Sequence, residues 1–240
     1  MSKIPITVSW SGGKDSTFAL YHLLQSNIYE VKSLHTVFDS KLKRVGLHGV
    51  PERLIEAQAE SLGFPLEKIY LPQSDDHDAY EQVIREFCMA QKNKGIDHVM
   101  YGDIFLEDLK AYRDKQLATV GLEGVYPIWN RDTKTLVEQF VQQGFKTVVC
   151  AANAALFEKL QVGQTIDQEW LAHLPASVDP CGENGEFHTF VYDGPMFNQS
   201  VSFRKGEMVD RSYTYNRKEE DGSLTPMKST FYFQELLHDS

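Results

Sequence analysis

The sequence predicts an α/β protein: a mainly parallel sheet covered by helices on both faces, followed by a smaller α+β part. Two observations support this fold class. In the first half, short apolar runs alternate with amphipathic helical stretches, which is typical of parallel sheets. After about residue 152, aromatic segments with a period of two replace this alternation and indicate antiparallel strands. The boundary between the two parts is therefore expected near 128–152.

Apolar runs in the first part predict six strands, at 4–10, 31–38, 67–71, 97–102, 145–151 and, shorter, near 124–128. Helices are predicted between them. The stretch 51–62 begins with Pro51 and ends before Gly63, the usual asymmetry of helix ends. Apolar side chains at helical spacing indicate further helices that end before Gly95 and Gly144. Two more helical stretches are predicted, at 17–25 and 105–118.

The second part begins with a loop-rich stretch, 175–185, that contains two prolines and two glycines. Alternating aromatic segments then predict four antiparallel strands, at 187–192, 200–204, 208–215 and 228–234. The polar segment 216–226 is expected to be a mobile loop.

Composition excludes several functional classes. The 240 residues contain 24 Lys and Arg against 34 Asp and Glu, a net charge of −10 that opposes general nucleic-acid binding. No run approaches the roughly 18 apolar residues of a membrane span, and the N-terminus lacks the apolar core of a signal peptide. The three cysteines form neither a CxxC pair nor a disulfide framework, so a reducing cytoplasmic compartment is expected.

The most informative segment is Ser-Gly-Gly-Lys-Asp-Ser at 11–16, between a predicted strand and a predicted helix. Its glycines allow a tight turn that directs backbone N–H groups at an anion near the helix N-terminus. Lys14 adds a positive charge, and Asp15 suits a divalent ion, so a nucleotide phosphate with Mg²⁺ is expected. A Walker A loop is excluded because Val8 stands where its first glycine would be, and no GxGxxG occurs. The alternative is a helix that merely follows a glycine turn.

Four segments together resemble the diphthine–ammonia ligase family: 11–16, Tyr-Gly-Asp-Ile at 101–104, Pro-Ile-Trp at 127–129 and Gly-Glu-Asn-Gly-Glu-Phe-His-Thr at 182–189. This family belongs to the PP-loop ATP pyrophosphatases of the adenine nucleotide alpha hydrolase superfamily. The resemblance, which covers nearly the whole chain, implies a parallel sheet of about five strands and then a smaller α+β part. It also implies an ATP-dependent ligase that transfers AMP to a carboxylate or carbonyl oxygen. Ammonia or an amine then displaces AMP and forms an amide.

The residue patterns, together with the resemblance, predict the domains and the sites. Residues 1–130 would form the nucleotide-binding domain and 131–240 the substrate side. Lys14 and Asp103 would be catalytic, and Asp15 and Asp103 would hold the metal. The ATP site would comprise Ser11, Gly12, Gly13, Lys14, Asp15 and Ser16; the substrate site would comprise His48, Arg113, Glu183, Asn184, Glu186 and His188.

Structural alternatives stay open for several of these residues. Asp103 is alternatively a helix N-cap, and Arg113 an exposed helix charge. His48 is alternatively an ordinary loop residue, and the segment 182–189 a solvated turn. Cys181 is interpreted as a small buried residue rather than a nucleophile.

The chain departs from the family pattern at Asn184, at His188 and in the segments 46–49 and 106–109. The phosphate side matches while the acceptor side differs, so we expect a small-molecule carboxylate rather than diphthine on elongation factor 2. Two other functions compete with the ligase. A tRNA thiolase is disfavoured by the charge and the absent CxxC; a non-catalytic nucleotide sensor is disfavoured by the complete Ser-Gly-Gly-Lys-Asp-Ser loop. A homodimer is an expected assembly.

Overall fold

The structure, a computed structural model, describes residues 2–46, 48–72, 77–218 and 224–239. Strands and helices alternate along the first half, as the sequence pattern predicts. The elements in chain order are β1 Ile4–Ser9, α1 Lys14–Ser26, β2 Tyr29–Asp39, α2 Glu52–Leu62, β3 Leu66–Leu71, α3 His77–Asn93, β4 His98–Met100, α4 Glu107–Ala118, β5 Glu123–Val125, α5 Thr133–Gln142, β6 Lys146–Asn153, α6 Gln168–Ala172, β7 Phe187–Asp193, β8 Phe203–Lys218 and β9 Leu224–His238.

The first sheet has five parallel strands in the order β3-β2-β1-β4-β5, which confirms the predicted fold class. Each strand is followed by a chain segment that returns to the same end of the sheet, so all carboxyl ends meet at one edge. The chain runs from β1 toward β3 and then crosses back to β4 on the other side of β1. This reversal opens a crevice beside the end of β1, where open α/β sheets bind their ligands.

The second sheet is antiparallel, with the order β7-β6-β9-β8. The strand predicted at 145–151 is β6 and pairs here rather than in the parallel sheet. The two strands predicted at 200–204 and 208–215 are a single strand, β8, because an irregularity between Lys205 and Met208 interrupts the pattern without ending the pairing with β9. The prediction of a loop at 216–226 is wrong at both ends, because β8 extends to Lys218 and β9 begins at Leu224. The residues between them, 219–223, lie outside the described residues.

The two sheets share one buried core. Phe18 of α1 contacts Phe140 of α5 edge to face at a centroid distance of 5.7 Å, and Phe140 stacks on Phe145 at 4.8 Å. Phe190 of β7 belongs to the same buried cluster. Aromatic side chains of this size contribute strongly to core stability. The second sheet is therefore held against the helical layer that carries α1.

The three cysteines, Cys88, Cys150 and Cys181, are buried free thiols. Among the described helices, none combines the length and the apolar character that crossing a bilayer requires.

Candidate active site

The glycine turn after β1 begins α1 at Lys14, three residues before the predicted start. The Gly13 carbonyl accepts hydrogen bonds from the Thr17 N–H at 3.1 Å and the Thr17 hydroxyl at 2.8 Å, which extends the helix backward. Gly12 has φ of +77°, and a Cβ there would lie 2.6 Å from the Gln58 side chain. Both the backbone conformation and the lack of space therefore require glycine at position 12. We call residues 11–16 the phosphate loop.

Lys14 is buried at the start of α1, with only 3% of its surface exposed. Its ammonium donates to both carboxylate oxygens of Asp15, at 2.9 and 2.8 Å, and to the Cys181 carbonyl. It also lies 5.1 Å from the centre of the Phe187 ring. Burial, the largest single effect, lowers the pKa of Lys14, but Asp15 together with Cys181 and Glu183 reverses this effect, and the pKa is raised. A charged ammonium is thus held ready at the N-terminus of the helix.

A cleft of about 1090 Å³ opens at the carboxyl ends of β1, β2 and β4. The phosphate loop forms its floor, and the second sheet closes one side. The Lys14 backbone N–H donates to the Thr189 hydroxyl at 2.9 Å, so β7 contacts the loop directly. Predicted site residues from both halves of the chain line this cleft: Ser11, Lys14, Asp15, Ser16, His48, Asp103, Arg113, Glu183 and His188.

Asp103 and Arg113 form an ion pair in the wall of this cleft. The Arg113 Nε lies 2.8 Å from Asp103 Oδ2, and the guanidinium stacks 4.3 Å above the centre of the Tyr101 ring. Burial raises the pKa of Asp103, while Arg113 opposes the shift. The N-cap of α4 is Leu106, so Asp103 does not cap this helix. Arg113 is not an exposed helix charge, because its side chain is only 27% exposed and pairs with Asp103.

Glu183 connects the glycine-rich segment to the end of β4. Its Oε1 accepts a hydrogen bond from the Ile104 backbone N–H at 2.7 Å. Burial is the main cause that raises its pKa to about 7. At neutral pH this carboxyl group is therefore divided between its charged and uncharged forms.

Asn184 and Glu186 are not among the described residues that line the cleft. Glu186 is buried, and its Oε1 accepts hydrogen bonds from the Asp179 backbone N–H and the Asn184 amide, both at 3.0 Å. These bonds stabilise the turn that carries Glu183, and Glu186 Oε2 has no hydrogen-bond partner among the described residues. A substrate role for the two residues stays a prediction.

His48 and His188 contact each other, which the sequence did not indicate. Their ring centroids are 4.6 Å apart, and His48 Nδ1 lies 3.3 Å from the Thr189 carbonyl oxygen. Burial lowers the pKa of His48 to about 4 and moves the pKa of His188 well below its usual value. Both imidazoles are therefore uncharged at neutral pH.

The two carboxylates predicted to hold a metal, Asp15 and Asp103, face the cleft, but each is paired with a cation. Within the described ranges, no group of three His, Cys, Asp or Glu side chains could hold a metal ion. The protein alone thus provides no complete metal cage. One or two carboxylates together with nucleotide phosphates are the usual ligands of Mg²⁺, and Asp15 and Asp103 fit that arrangement.

Gln58 was missed by the sequence analysis. Its amide donates to the carbonyls of Gly12 and Val191, at 2.9 and 2.5 Å, and accepts from Trp10 Nε1 at 3.0 Å. In the sequence, its role is indicated only by its position, a polar residue on the otherwise mainly apolar face of α2 that the structure buries. Gln58 thereby joins the phosphate loop to β7.

Comparison with known proteins places these features in a family. Family models for the N-terminal and C-terminal domains of diphthamide synthase match residues 4–124 and 132–218. A diphthine–ammonia ligase of Schizosaccharomyces pombe is 24% identical over 84% of this chain, which spans 36% of that protein. The diphthine–ammonia ligases of Danio rerio and Homo sapiens are 23% and 20% identical over 84% of this chain, which spans 87% and 84% of their lengths.

Among solved structures, the U34-tRNA thiolase NcsA from Methanococcus maripaludis matches 58% of this chain and 56% of its own, with a TM-score of 0.37 and 14% identity. That similarity is too low to support a conclusion about function. The two family models, by contrast, account for most of the sequence, including the phosphate loop and the glycine-rich segment 182–189. The chain belongs to the diphthamide synthase family.

Proposed function

We propose that the chain is an ATP-dependent, AMP-forming ligase that joins a carboxylate to ammonia or an amine. The observation that carries this proposal is the single cleft in which the phosphate loop, the Asp103–Arg113 pair and Glu183 meet. The relatives named diphthine–ammonia ligase, similar over 84% of this chain, support the same reaction class.

In this proposal, ATP binds with its phosphates at the phosphate loop. Backbone N–H groups at the start of α1 and the Lys14 ammonium would donate to phosphate oxygens. The Lys14 N–H would first have to leave the Thr189 hydroxyl. Since that ammonium already contacts Asp15 and the Cys181 carbonyl, the phosphates would replace at least one of these contacts. Asp15 and Asp103 would hold Mg²⁺, which supplies positive charge to the phosphates when it is bound.

The first step activates a poor electrophile. A carboxylate oxygen of the acceptor attacks the α-phosphorus, the bond to the β-phosphate breaks, and pyrophosphate leaves with the electron pair. Lys14 lies where it can stabilise the charge that develops on the leaving group, the kind of electrostatic effect that is usually largest in such sites. The acyl adenylate then presents a good leaving group to the nitrogen nucleophile.

We propose further that the acceptor is a carboxylate smaller than diphthine on elongation factor 2. The segments that depart from the family pattern contribute His48, Leu106, Leu109 and His188 to the cleft wall, whereas the phosphate loop matches in full. A changed polar group that leaves a substrate atom unpaired costs about 1–3 kcal/mol, which is enough to change the preferred acceptor.

The test is product analysis. The protein is incubated with ATP, Mg²⁺ and ammonium, together with either diphthine-bearing elongation factor 2 or individual small carboxylates, and the nucleotides are separated by chromatography. We expect acceptor-dependent AMP and pyrophosphate, strongly reduced in Asp103→Asn. ADP as the main product would contradict the proposed reaction. The chain is also expressed in cells that lack their own diphthine–ammonia ligase. Restored diphthamide in those cells would contradict only the proposed acceptor.

A further inference from the structure

One wall of the cleft is formed by aromatic rings. The His48 and His188 rings lie 4.6 Å apart and are tilted by 37° to each other, and His188 stacks on Phe231 at 6.3 Å. Both histidines line the cleft. We call His48 and His188 the imidazole wall. It faces a cleft whose other polar groups include the carboxyl groups of Asp15, Asp103 and Glu183.

The orientation of His48 is fixed by two contacts. Its Nδ1 lies 3.3 Å from the Thr189 carbonyl, which can only accept a hydrogen bond, so the proton of the neutral ring belongs on Nδ1. Its Cε1 lies 3.0 Å from the place where a Gly13 Cβ would be, so the ring packs directly on the phosphate loop. The Nε2 of His48 therefore keeps its lone pair as a hydrogen-bond acceptor beside the phosphate site.

His188 has hydrogen-bonding capacity that the protein does not use. Its Nε2 is buried and has no hydrogen-bond partner among the described residues. Buried polar atoms nearly always have a partner, and at a binding site a ligand or an ordered water supplies it. His188 therefore keeps the capacity for one more hydrogen bond, which a ligand or water that reaches its ring can complete.

Both rings of the imidazole wall are uncharged at neutral pH. Burial is the main cause that lowers the pKa of His48 and of His188, and the Lys14 ammonium adds to it. An uncharged amine that enters the cleft therefore finds an imidazole lone pair to which its N–H groups can donate.

We propose that the imidazole wall receives the nitrogen nucleophile as uncharged ammonia or amine, and that His48 accepts its proton during attack on the acyl adenylate. This inference rests on the proposed ligase function. The nitrogen lone pair forms the carbon–nitrogen bond, and the bond from the acyl carbon to the AMP oxygen breaks, with its electron pair leaving on AMP. The surplus proton passes from nitrogen to His48 Nε2. His188 acts as a positioning residue that holds the His48 ring.

The kinetic test compares ammonia with hydroxylamine, using an acceptor that supports wild-type turnover. Hydroxylamine is the weaker base, so its adduct loses a proton to water without help. We expect His48→Gln to lose about 10²–10⁴-fold in amide formation from ammonia, with a far smaller loss in hydroxamate formation. His188→Gln should shift the ratio of the two rates in the same direction, and His173→Gln, at an exposed position, should leave both rates unchanged. Equal losses with both nucleophiles would overturn the proposal.

A second readout needs no acceptor. In protein labelled with ¹⁵N-histidine, NMR should show His48 uncharged at pH 6–7 with its proton on Nδ1, and His48→Gln identifies its signal. A charged His48, or a ring protonated on Nε2, would overturn the proposal even if turnover is observed. If no acceptor supports AMP formation, the ligase function fails, whereas the NMR result still decides whether the imidazole wall has the required state.

Discussion

The cations of the cleft are held in pairs with acids, Lys14 with Asp15 and Arg113 with Asp103. Removing one member of a buried pair leaves an uncompensated charge, which typically costs about 3–5 kcal/mol. Glu183 differs, because no basic side chain in the described part of the chain forms a salt bridge with it, and its carboxyl group accepts a hydrogen bond from the Ile104 backbone N–H. Above pH 6.5 the stability of the site should therefore respond to pH through this carboxyl group, whereas the lowered pKa values of His48 and His188 act below that pH.

Glu183→Gln should stabilise the protein more at pH 8 than at pH 5. The folded-state pKa of about 7 lies above the reference value of 4.5, so the folded protein keeps a proton that the unfolded chain has lost between these values. The stability that this group contributes falls as pH rises from 4.5 to about 7, and above pH 7 the protein bears the full cost of the buried charged carboxylate. Thermal unfolding at both pH values measures the effect, with Glu60→Gln, exposed on α2, as the control. An equal difference at both pH values would refute this explanation.

The residues of the phosphate loop were recognisable because their types and their position after β1 carry a local chemical signal. Gln58 was not recognised, and Thr189 was recognised only as the last residue of the segment 182–189, because a buried amide or hydroxyl becomes informative only when its distant partner is known. The contact between His48 and His188 could not be predicted for the same reason, since it depends on how β7 packs beside the phosphate loop.

At the scale of elements, glycines and prolines at helix ends allowed most boundaries to be predicted from sequence. The prediction failed for β8, whose irregularity near Gly206 resembles a strand end, although pairing with β9 continues on both sides. It also placed the start of α1 three residues late, because the apolar pattern of this helix begins only after the phosphate loop, whereas the bonds from Thr17 to the Gly13 carbonyl extend the helix into the loop. Local patterns thus located the elements better than they fixed their ends.

The end of β4 is fitted closely against the start of α1. A Cβ on Gly102 would lie 2.8 Å from the Ser16 backbone nitrogen and 2.9 Å from the Asp15 carbonyl carbon, and neither backbone atom can yield without moving the phosphate loop. Gly102→Ala should destabilise the protein by about 1–3 kcal/mol, the usual cost of overpacking, and should weaken ATP binding. Denaturant unfolding and calorimetry measure the two effects.

Gly46→Ala is the matched control for unfolding, because no described atom lies within 4 Å of the added methyl group. It should unfold at the same denaturant concentration as the wild type or slightly higher. An unchanged denaturant midpoint for Gly102→Ala would contradict this prediction, because it would show that α1 and β4 can move apart with little loss of folding free energy.

At the scale of the whole molecule, the two sheets form one structural unit around a shared core. Hydrogen bonds from Val191 to Gly12 and from Gln58 to both β7 and the loop complete this connection. The sequence predicted both architectures but not their docking, since the contacts join residues more than a hundred positions apart. The homodimer stays a prediction, which sedimentation analysis can test.

Gln58→Leu should lower the stability of the entire molecule by about 2 kcal/mol or more, because it leaves the Trp10 indole N–H and the Val191 carbonyl without their partner. We expect one cooperative thermal transition, shifted to lower temperature. Gln82→Leu, at an exposed position of α3, should have little effect. Two separate transitions, with only one of them shifted, would show that the sheets fold independently.

The most direct test of the account is the affinity for ATP with Mg²⁺, measured by calorimetry on the wild type, Lys14→Ala and Lys92→Ala. Thermal unfolding first establishes that each variant is folded, and Lys14→Gln serves if the alanine variant is not. Loss of the Lys14 charge should cost about 1.5–3 kcal/mol, a weakening of roughly 10- to 150-fold. Lys92, which pairs with Asp97 away from the cleft, should not matter. Unchanged ATP affinity in folded Lys14→Ala would contradict the assignment of the phosphate loop.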